Sequence, residues 1–485
     1  GGTDTATVHL TVKPDDMALS AVSVRAATNM STIYQLHAGD INGDGVTDLM
    51  AETSLYTSGG NGLIFGQAGS LTTQLNGGSF AAAATNGPAV FKFTSYNDVV
   101  GIGDINNDGY VDTINGTGST TASVYLGGPG TDNVTDQNLA LGIGYSPSGN
   151  PLVTDFNGDG HADLFMSVGN SSAVNGASAT SPALAMWFGS SNGIANTPNA
   201  TAYSGVTPVG VASLANVAYA LGATDLNGDG YADIVTNVGA RNDGQANYGP
   251  AKVTFGNAAG SFAANLASSD GGLILSNFEV AGGDPLARSV ATGGDVNGDG
   301  LQDLAGWNES GTGGFVLFGN SGLTAGSTVN IGALNGEDGV RFTGTGSVTT
   351  EIALGDLNGD GIDDIVVGSQ AAASGAGKLW VVWGQDGGFS SGSIDLSQES
   401  TGQFITLTGA SGQGIGSALA ITDMDGDGLN DLVVGSSSGT IDVVSGQQFG
   451  ASLIGAMAAF SAPAGGLEAT TPLTEEQQYQ LASPV

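Results

Sequence analysis

Four carboxylate or amide side chains crowd into nine positions of the segment GDINGDGVTDLM at 39–50: Asp40, Asn42, Asp44 and Asp48. Carboxylates this close repel one another unless a cation sits among them. Gly43 and Gly45 leave the backbone free to curl around such a cation. Oxygen donors at positions 1, 3, 5 and 9, glycine at 6 and a backbone carbonyl at 7 suit a hard divalent ion. Calcium fits better than magnesium, which keeps more of its own water. Thiolate chemistry is excluded by the absence of cysteine, and His9, His37 and His161 do not cluster into an imidazole site.

The segment recurs, giving seven copies whose starts lie about 51 to 70 residues apart. Numbered as units, the candidate ligands are Asp40, Asn42, Asp44, Val46 and Asp48 in unit 1, and Asp104, Asn106, Asp108, Tyr110 and Asp112 in unit 2. Units 3 and 4 supply Asp155, Asn157, Asp159, His161 and Asp163, then Asp225, Asn227, Asp229, Tyr231 and Asp233. Units 5 and 6 supply Asp295, Asn297, Asp299, Leu301 and Asp303, then Asp356, Asn358, Asp360, Ile362 and Asp364. Unit 7 supplies Asp423, Asp425, Asp427, Leu429 and Asp431. The residue at position 7 varies, as expected if only its carbonyl is used. A metal-free Asx-Gly hairpin turn would account for any one copy. The same acidic register seven times argues for a cation in each, about seven calcium ions in all.

The elements that position these loops follow from their flanks. Small and apolar residues precede each copy, as in EIALGD (351–356), and a short apolar strand follows, as in DIVVG (364–368). After a variable loop comes another strand ending in an apolar residue and glycine: LIFG (63–66), VYLG (124–127), MWFG (186–189), VTFG (253–256), VLFG (316–319), VVWG (381–384) and VVSG (443–446). Each unit reads as strand, acidic loop, strand, long loop, strand, glycine turn and a weaker strand. Four short strands repeated seven times predict an all-β fold, a seven-bladed β-propeller with calcium loops in every blade. The aromatic residue before the glycine is expected to wedge between blades, and the glycine to supply a positive φ for the next turn. A single blade cannot bury both faces, so the ring must close.

Composition bounds the function. Lys and Arg number 8 against 45 Asp and Glu, a formal charge of -37, which excludes a nucleic-acid surface and charge-driven binding to anionic membranes. Positions 1, 3, 5 and 9 of the loops hold 22 of those 45 acids, and one Ca²⁺ per loop would bring the net charge to about -23. Folding and metal uptake are therefore expected to be coupled. Hydrophobic residues make up 40% of the chain, enough for a core, and no apolar run reaches the roughly 20 residues of a membrane helix. The 84 glycines follow no collagen period, and without cysteine no disulfide staples the fold.

Over residues 31–447 the chain resembles the FG-GAP repeat family, the repeat of integrin α-subunit propellers. The resemblance rests on Phe65-Gly66, Phe188-Gly189, Phe255-Gly256 and Phe318-Gly319 together with the seven acidic loops; Leu126, Trp383 and Ser445 replace the phenylalanine elsewhere. It implies that the calcium loops join first and second strands on one face and that partners bind the opposite face. Loops at 51–62, 167–182, 237–250 and 306–314 would then face a protein or glycan partner, with Tyr56, Arg241, Asp243, Tyr248, Trp307 and Glu309 as candidate contacts.

Residues 1–16 alternate like the last strand of a preceding β-repeat domain, 17–462 form the propeller, and 463–485 read as a linker or short helix with Thr474 and Gln477 at capping-box spacing. LSAVSVRAA (19–27) and ASLIGAMAAF (451–460) compete to supply the outer strand of the last blade. The chain begins with Gly1, which suggests a processed piece of a longer bacterial surface protein with neighbouring domains. Two G-x-S-x-G matches, GSSNG (189–193) and GSSSG (435–439), are followed by polar turns rather than a helix and read as chance. With no catalytic constellation, the expected role is non-catalytic and extracellular: adhesion, surface-layer assembly or protein–protein contact. A carbohydrate-binding propeller and an accessory domain of a polysaccharide lyase or lipase-like enzyme are the alternatives.

Overall fold

The computed structural model describes residues 17–18, 24–28, 32–53, 62–64, 78–79, 90–92, 100–116, 121–128, 137–140, 145–147, 151–170, 183–190, 194, 217–240, 247–258, 272–276, 286–308, 313–345, 350–398 and 403–449. Within them, the acidic nonapeptide begins where one strand stops and ends where the next starts. The strands Ile33–Gly39, Val100–Gly103, Leu152–Thr154, Val217–Thr224, Leu286–Gly294, Thr350–Gly355 and Ile415–Thr422 each stop one residue before position 1. The second strands begin at position 9 itself, with Asp48, Asp112, Asp163, Asp233, Asp303, Asp364 and Asp431. In all seven units the residue before position 1 is paired antiparallel with the position 9 aspartate, from Gly39 with Asp48 to Thr422 with Asp431. Position 9 is thus both the last loop residue and the first rung of a ladder.

The strands form seven separate sheets of four or five strands among the described residues. Neighbouring units touch through their first strands in a cycle that runs from unit 1 through unit 7 and back to unit 1. Apolar side chains fill the seams between sheets. Leu226 and Val253 meet Leu304 and Phe315 between units 4 and 5, and Trp307 and Phe342 meet Ile365 and Trp380 between units 5 and 6. Val381 and Leu407 meet Leu432 and Val434 between units 6 and 7, and Val433 and Ile441 meet Ile33 and Leu49 where the last unit returns to the first. The expected aromatic wedges are seen: Phe318 stacks on Phe389 of the next unit with ring centroids 6.2 Å apart, and Trp383 meets Phe449 edge-on at 6.1 Å. Burying such a side chain contributes roughly 1.5–3 kcal/mol.

The competition for the last sheet's outer strand is decided by pairing. Val24–Thr28 lies antiparallel against Ile441–Val444, so the N-terminal segment completes the sheet built by the C-terminal one. Residues 451–460, like 1–16 and 463–485, lie outside the described residues. Four sheets also take on a short parallel strand: Thr328–Asn330 joins Leu273–Ser276, Ser393–Asp395 joins Gly339–Thr343, Gly78–Ser79 joins Val24–Thr28, and Met17–Ala18 joins Ile405–Thr408. These cross-unit staples are too short to leave a pattern in the sequence. Among the described residues no helix is long and apolar enough to cross a membrane.

Candidate metal centre

Each acidic loop is wound by its own side chains. In unit 1, Asp40 Oδ1 accepts the N–H groups of Gly43 at 2.7 Å and Asp44 at 3.1 Å, and its Oδ2 accepts that of Gly45 at 2.8 Å. Asn42 Oδ1 accepts Asp44 N–H at 2.9 Å, while Asn42 Nδ2 donates to Asp44 Oδ2 at 3.2 Å. Asp44 Oδ1 accepts Val46 N–H at 3.0 Å. The bond from the position 6 N–H to the second oxygen of position 1 recurs at Asp104, Asp155, Asp225, Asp295, Asp356 and Asp423, at 2.8–2.9 Å. The winding needs left-handed backbone twice. Position 4 has φ between 56° and 77°, and position 6 between 85° and 92°. Glycine fills these places except at Asn107, a residue type that tolerates this region.

The position 9 aspartates differ from the rest of the loop. Each of the seven is fully buried. One oxygen accepts the N–H of position 2, as in Leu226 to Asp233 at 3.0 Å. In units 2 to 7 the other accepts the N–H of the glycine just past the third strand: Gly127, Gly189, Gly256, Gly319, Gly384 and Gly446, at 2.8–2.9 Å. The two halves of the sequence signature are therefore one hydrogen-bonded unit. This corrects the reading of that glycine. None of the six has a positive φ; a side-chain carbon at Gly256 would instead lie 2.5 Å from the Ala232 carbonyl oxygen and 2.9 Å from that of Phe156. The residue is glycine because three backbone segments converge on it.

Burial pushes the carboxyls of Asp112 and Asp163 up to about 6, and those of Asp233, Asp303, Asp364 and Asp431 up to about 7. The two backbone donors pull the other way, and the acids at positions 1 and 5 raise them further. A buried carboxylate facing other carboxylates is stabilised most by a cation. In unit 7, where position 3 is aspartate rather than asparagine, Asp423, Asp425 and Asp431 bring carboxylate oxygens within 4.8 Å of one another. The all-oxygen donor set, the converged triad and the burial of position 9 fit calcium. Positions 1, 3, 5 and 9 would supply side-chain oxygens and position 7 its carbonyl. Bound there, the ion would neutralise the acids and fix the turn between the two strands.

The other candidate residues scatter. Trp307 is not a partner-face contact: it is fully buried and stacks on Phe342 with centroids 6.3 Å apart, because its strand Asp303–Asn308 is buried along its whole length. Tyr248 belongs to the strand Asn247–Thr254, paired with Gly239, so the loop expected over 237–250 is largely a hairpin. Tyr56, Arg241, Asp243 and Glu309 lie outside the described residues. His37 sits in the strand Ile33–Gly39 with Nε2 3.4 Å from Glu52 Oε1. Ser437, centre of the second G-x-S-x-G match, lies in the tight connection between Asp431–Ser436 and Ile441–Val444, a hairpin without the helix a nucleophile elbow needs. Sequence reasoning missed the glycine partners of position 9, although they recur in register.

Among the described residues, these loops join the strands of seven sheets arranged in a cycle. The FG-GAP repeat family matches residues 217–251, 348–382 and 415–454, which fall in units 4, 6 and 7. Among curated proteins, phosphatidylinositol-glycan-specific phospholipase D of Rattus norvegicus is 39% identical over 92 residues, 18% of this chain and 11% of the relative. The Mus musculus protein of that name is 37% identical over 87 residues, 17% of this chain and 10% of the relative. The similarity thus spans about a tenth of those relatives' length. Among solved structures, BBS1N in complex with ARL6DN, soaked with mercury, aligns over 87% of this chain and 96% of that one at 10% identity, with a TM-score of 0.45.

Proposed function

We propose that the chain is a calcium-loaded, seven-bladed propeller that acts as a non-catalytic binding module at a bacterial cell surface or in the extracellular space. Its role would be adhesion, surface-layer assembly or protein–protein contact, with the partner on the face opposite the acidic loops. One observation carries the reading. Seven acidic loops occupy the same turn of seven sheets, and each ends in a fully buried aspartate. That arrangement is costly without cations and rigid with them. Calcium at extracellular concentrations, about 10⁻³ M, fills even weak sites of this kind. The test is the melting temperature of purified protein with calcium and with chelator, alongside elemental analysis of dialysed protein. We expect about seven ions per chain and a lower melting temperature in chelator; equal temperatures in both would sink the metal reading.

A second reading is favoured by the similarity to phosphatidylinositol-glycan-specific phospholipase D. The propeller would then be an accessory module beside a hydrolase domain. Assay of this chain against a glycan-phosphatidylinositol-anchored protein tests the non-catalytic role that both readings give it. Release of the anchored protein by the propeller alone would contradict a non-catalytic role. A carbohydrate-binding propeller draws less support, because Trp187, Trp307 and Trp380 are buried rather than offered to a sugar.

A further inference from the structure

Five of the acidic loops, those of units 1, 3, 4, 5 and 6, are roofed by the unit that follows. A side-chain carbon added to Gly158, position 4 of the unit 3 loop, would lie 2.5 Å from Cε1 and 2.7 Å from Cδ1 of Tyr231, position 7 of the unit 4 loop. The same pairing sets Tyr110 on Gly43, Leu301 on Gly228, Ile362 on Gly298 and Leu429 on Gly359. Backbone bonds run in the same direction. Ala232 donates to the Asp155 carbonyl at 3.2 Å, and Asn257 to that of Phe156 at 3.3 Å. Position 8 side chains reach back as well. Gln302 Oε1 accepts Asp225 N–H at 2.8 Å, Asp363 Oδ2 accepts Asp295 N–H at 2.7 Å, and Asn430 Nδ2 donates to the Asp356 carbonyl at 3.1 Å.

We infer that the position 7 side chain of each unit positions the metal ligands of the preceding unit, so that the calcium site of one unit is completed by the next. The inference rests on the calcium reading of the loops and adds a direction to it. Gly158 holds φ at 68°, and the turn through it brings Asp159 N–H to Asp155 Oδ1 at 3.1 Å and Gly160 N–H to Asp155 Oδ2 at 2.9 Å. The Tyr231 ring lies where any displacement of that turn must go. Without the ring the loop samples more conformations, and the entropy of ordering it is charged to ion binding. Outer-shell groups of this kind change metal affinity by about 10–100-fold. Position 7 therefore has two tasks on two sites: its carbonyl serves its own loop, and its side chain serves the loop before. This accounts for its bulk in units 2, 4, 5, 6 and 7.

The test is calcium titration calorimetry on the full chain after chelator stripping, comparing Tyr231→Ala and Tyr231→Phe in three backgrounds. In the otherwise unaltered chain, Tyr231→Ala should weaken one site at least tenfold, and Tyr231→Phe should restore it. In Asp155→Asn/Asp159→Asn, which removes the unit 3 site, Tyr231→Ala should change nothing more. In Asp225→Asn/Asp229→Asn, which removes the unit 4 site, it should still weaken one of the remaining sites at least tenfold. The reverse dependence, equal weakening of all sites, or failure of Phe to rescue overturns the inference. If the unaltered chain takes up no calcium, the metal reading fails instead, which is a separate result.

Discussion

Asp233 has no exposed surface, its carboxyl is pushed up to about 7 by burial, and the acids around it raise it further. The same aspartates in an unfolded chain titrate near 4. Between roughly pH 4 and pH 7, metal-free folded protein therefore holds protons that the unfolded chain has released. Folding stability must fall as pH rises through that window. The expected result is a melting temperature in chelator that declines from about pH 4.5 to 7.5. In millimolar calcium the trend should reverse, because the ion binds only the deprotonated groups. Scanning calorimetry at matched ionic strength checks both slopes, and a chelated protein that gains stability across the window would contradict burial as the dominant cause. Gly256 tests the partner of this carboxylate. Gly256→Ala pushes a methyl against the Ala232 and Phe156 carbonyls while leaving every acid in place. It should cost about 1–3 kcal/mol, as overpacking does, read from denaturant midpoints.

Trp307 and the strand Val24–Thr28 show what elements add to residues. Trp307→Ala should cost about 3–5 kcal/mol through the cavity left between units 5 and 6, because the ring is fully buried against Phe342. Unfolding curves in urea test this, and a change under 1 kcal/mol would return Trp307 to the surface role its loop-like context suggested. Deleting residues 1–30 should expose the edge of Ile441–Val444, lower the melting temperature and speed proteolytic cleavage, since the last sheet loses its outer strand. The strand–loop–strand grammar was legible because the acidic register recurs and the apolar strands flank it on both sides. The loop expected over 237–250 was misjudged because Gly239 and Asn247 belong to residue types depleted in strands, yet here they extend a hairpin held by its neighbours. The parallel staples, two or three residues long, carry no periodicity to read. The glycine bonded to position 9 was visible as a repeat, but its cause is a crossing of three backbones that only the folded geometry supplies.

At the scale of the molecule, the first strands meet in a cycle, so every seam has two neighbours and none is free to relax alone. The acidic loops sit on that cycle with a formal charge of -37 over the chain. Two physical effects then compete in metal-free protein: diffuse repulsion, which salt screens over a Debye length of about 10 Å at 0.1 M, and local crowding of carboxylates a few ångströms apart, which salt screens poorly. They separate by experiment. In chelator, raising sodium chloride from 0.02 to about 0.5 M should recover only part of the melting temperature that 1 mM calcium restores, because sodium thins the long-range field without replacing the missing ligand bonds. Magnesium at the same concentration should fall between the two, as it sheds its water reluctantly. If sodium chloride restores stability as fully as calcium, the loops act as a diffuse acidic surface rather than as binding sites, and the cycle is held by its apolar seams alone.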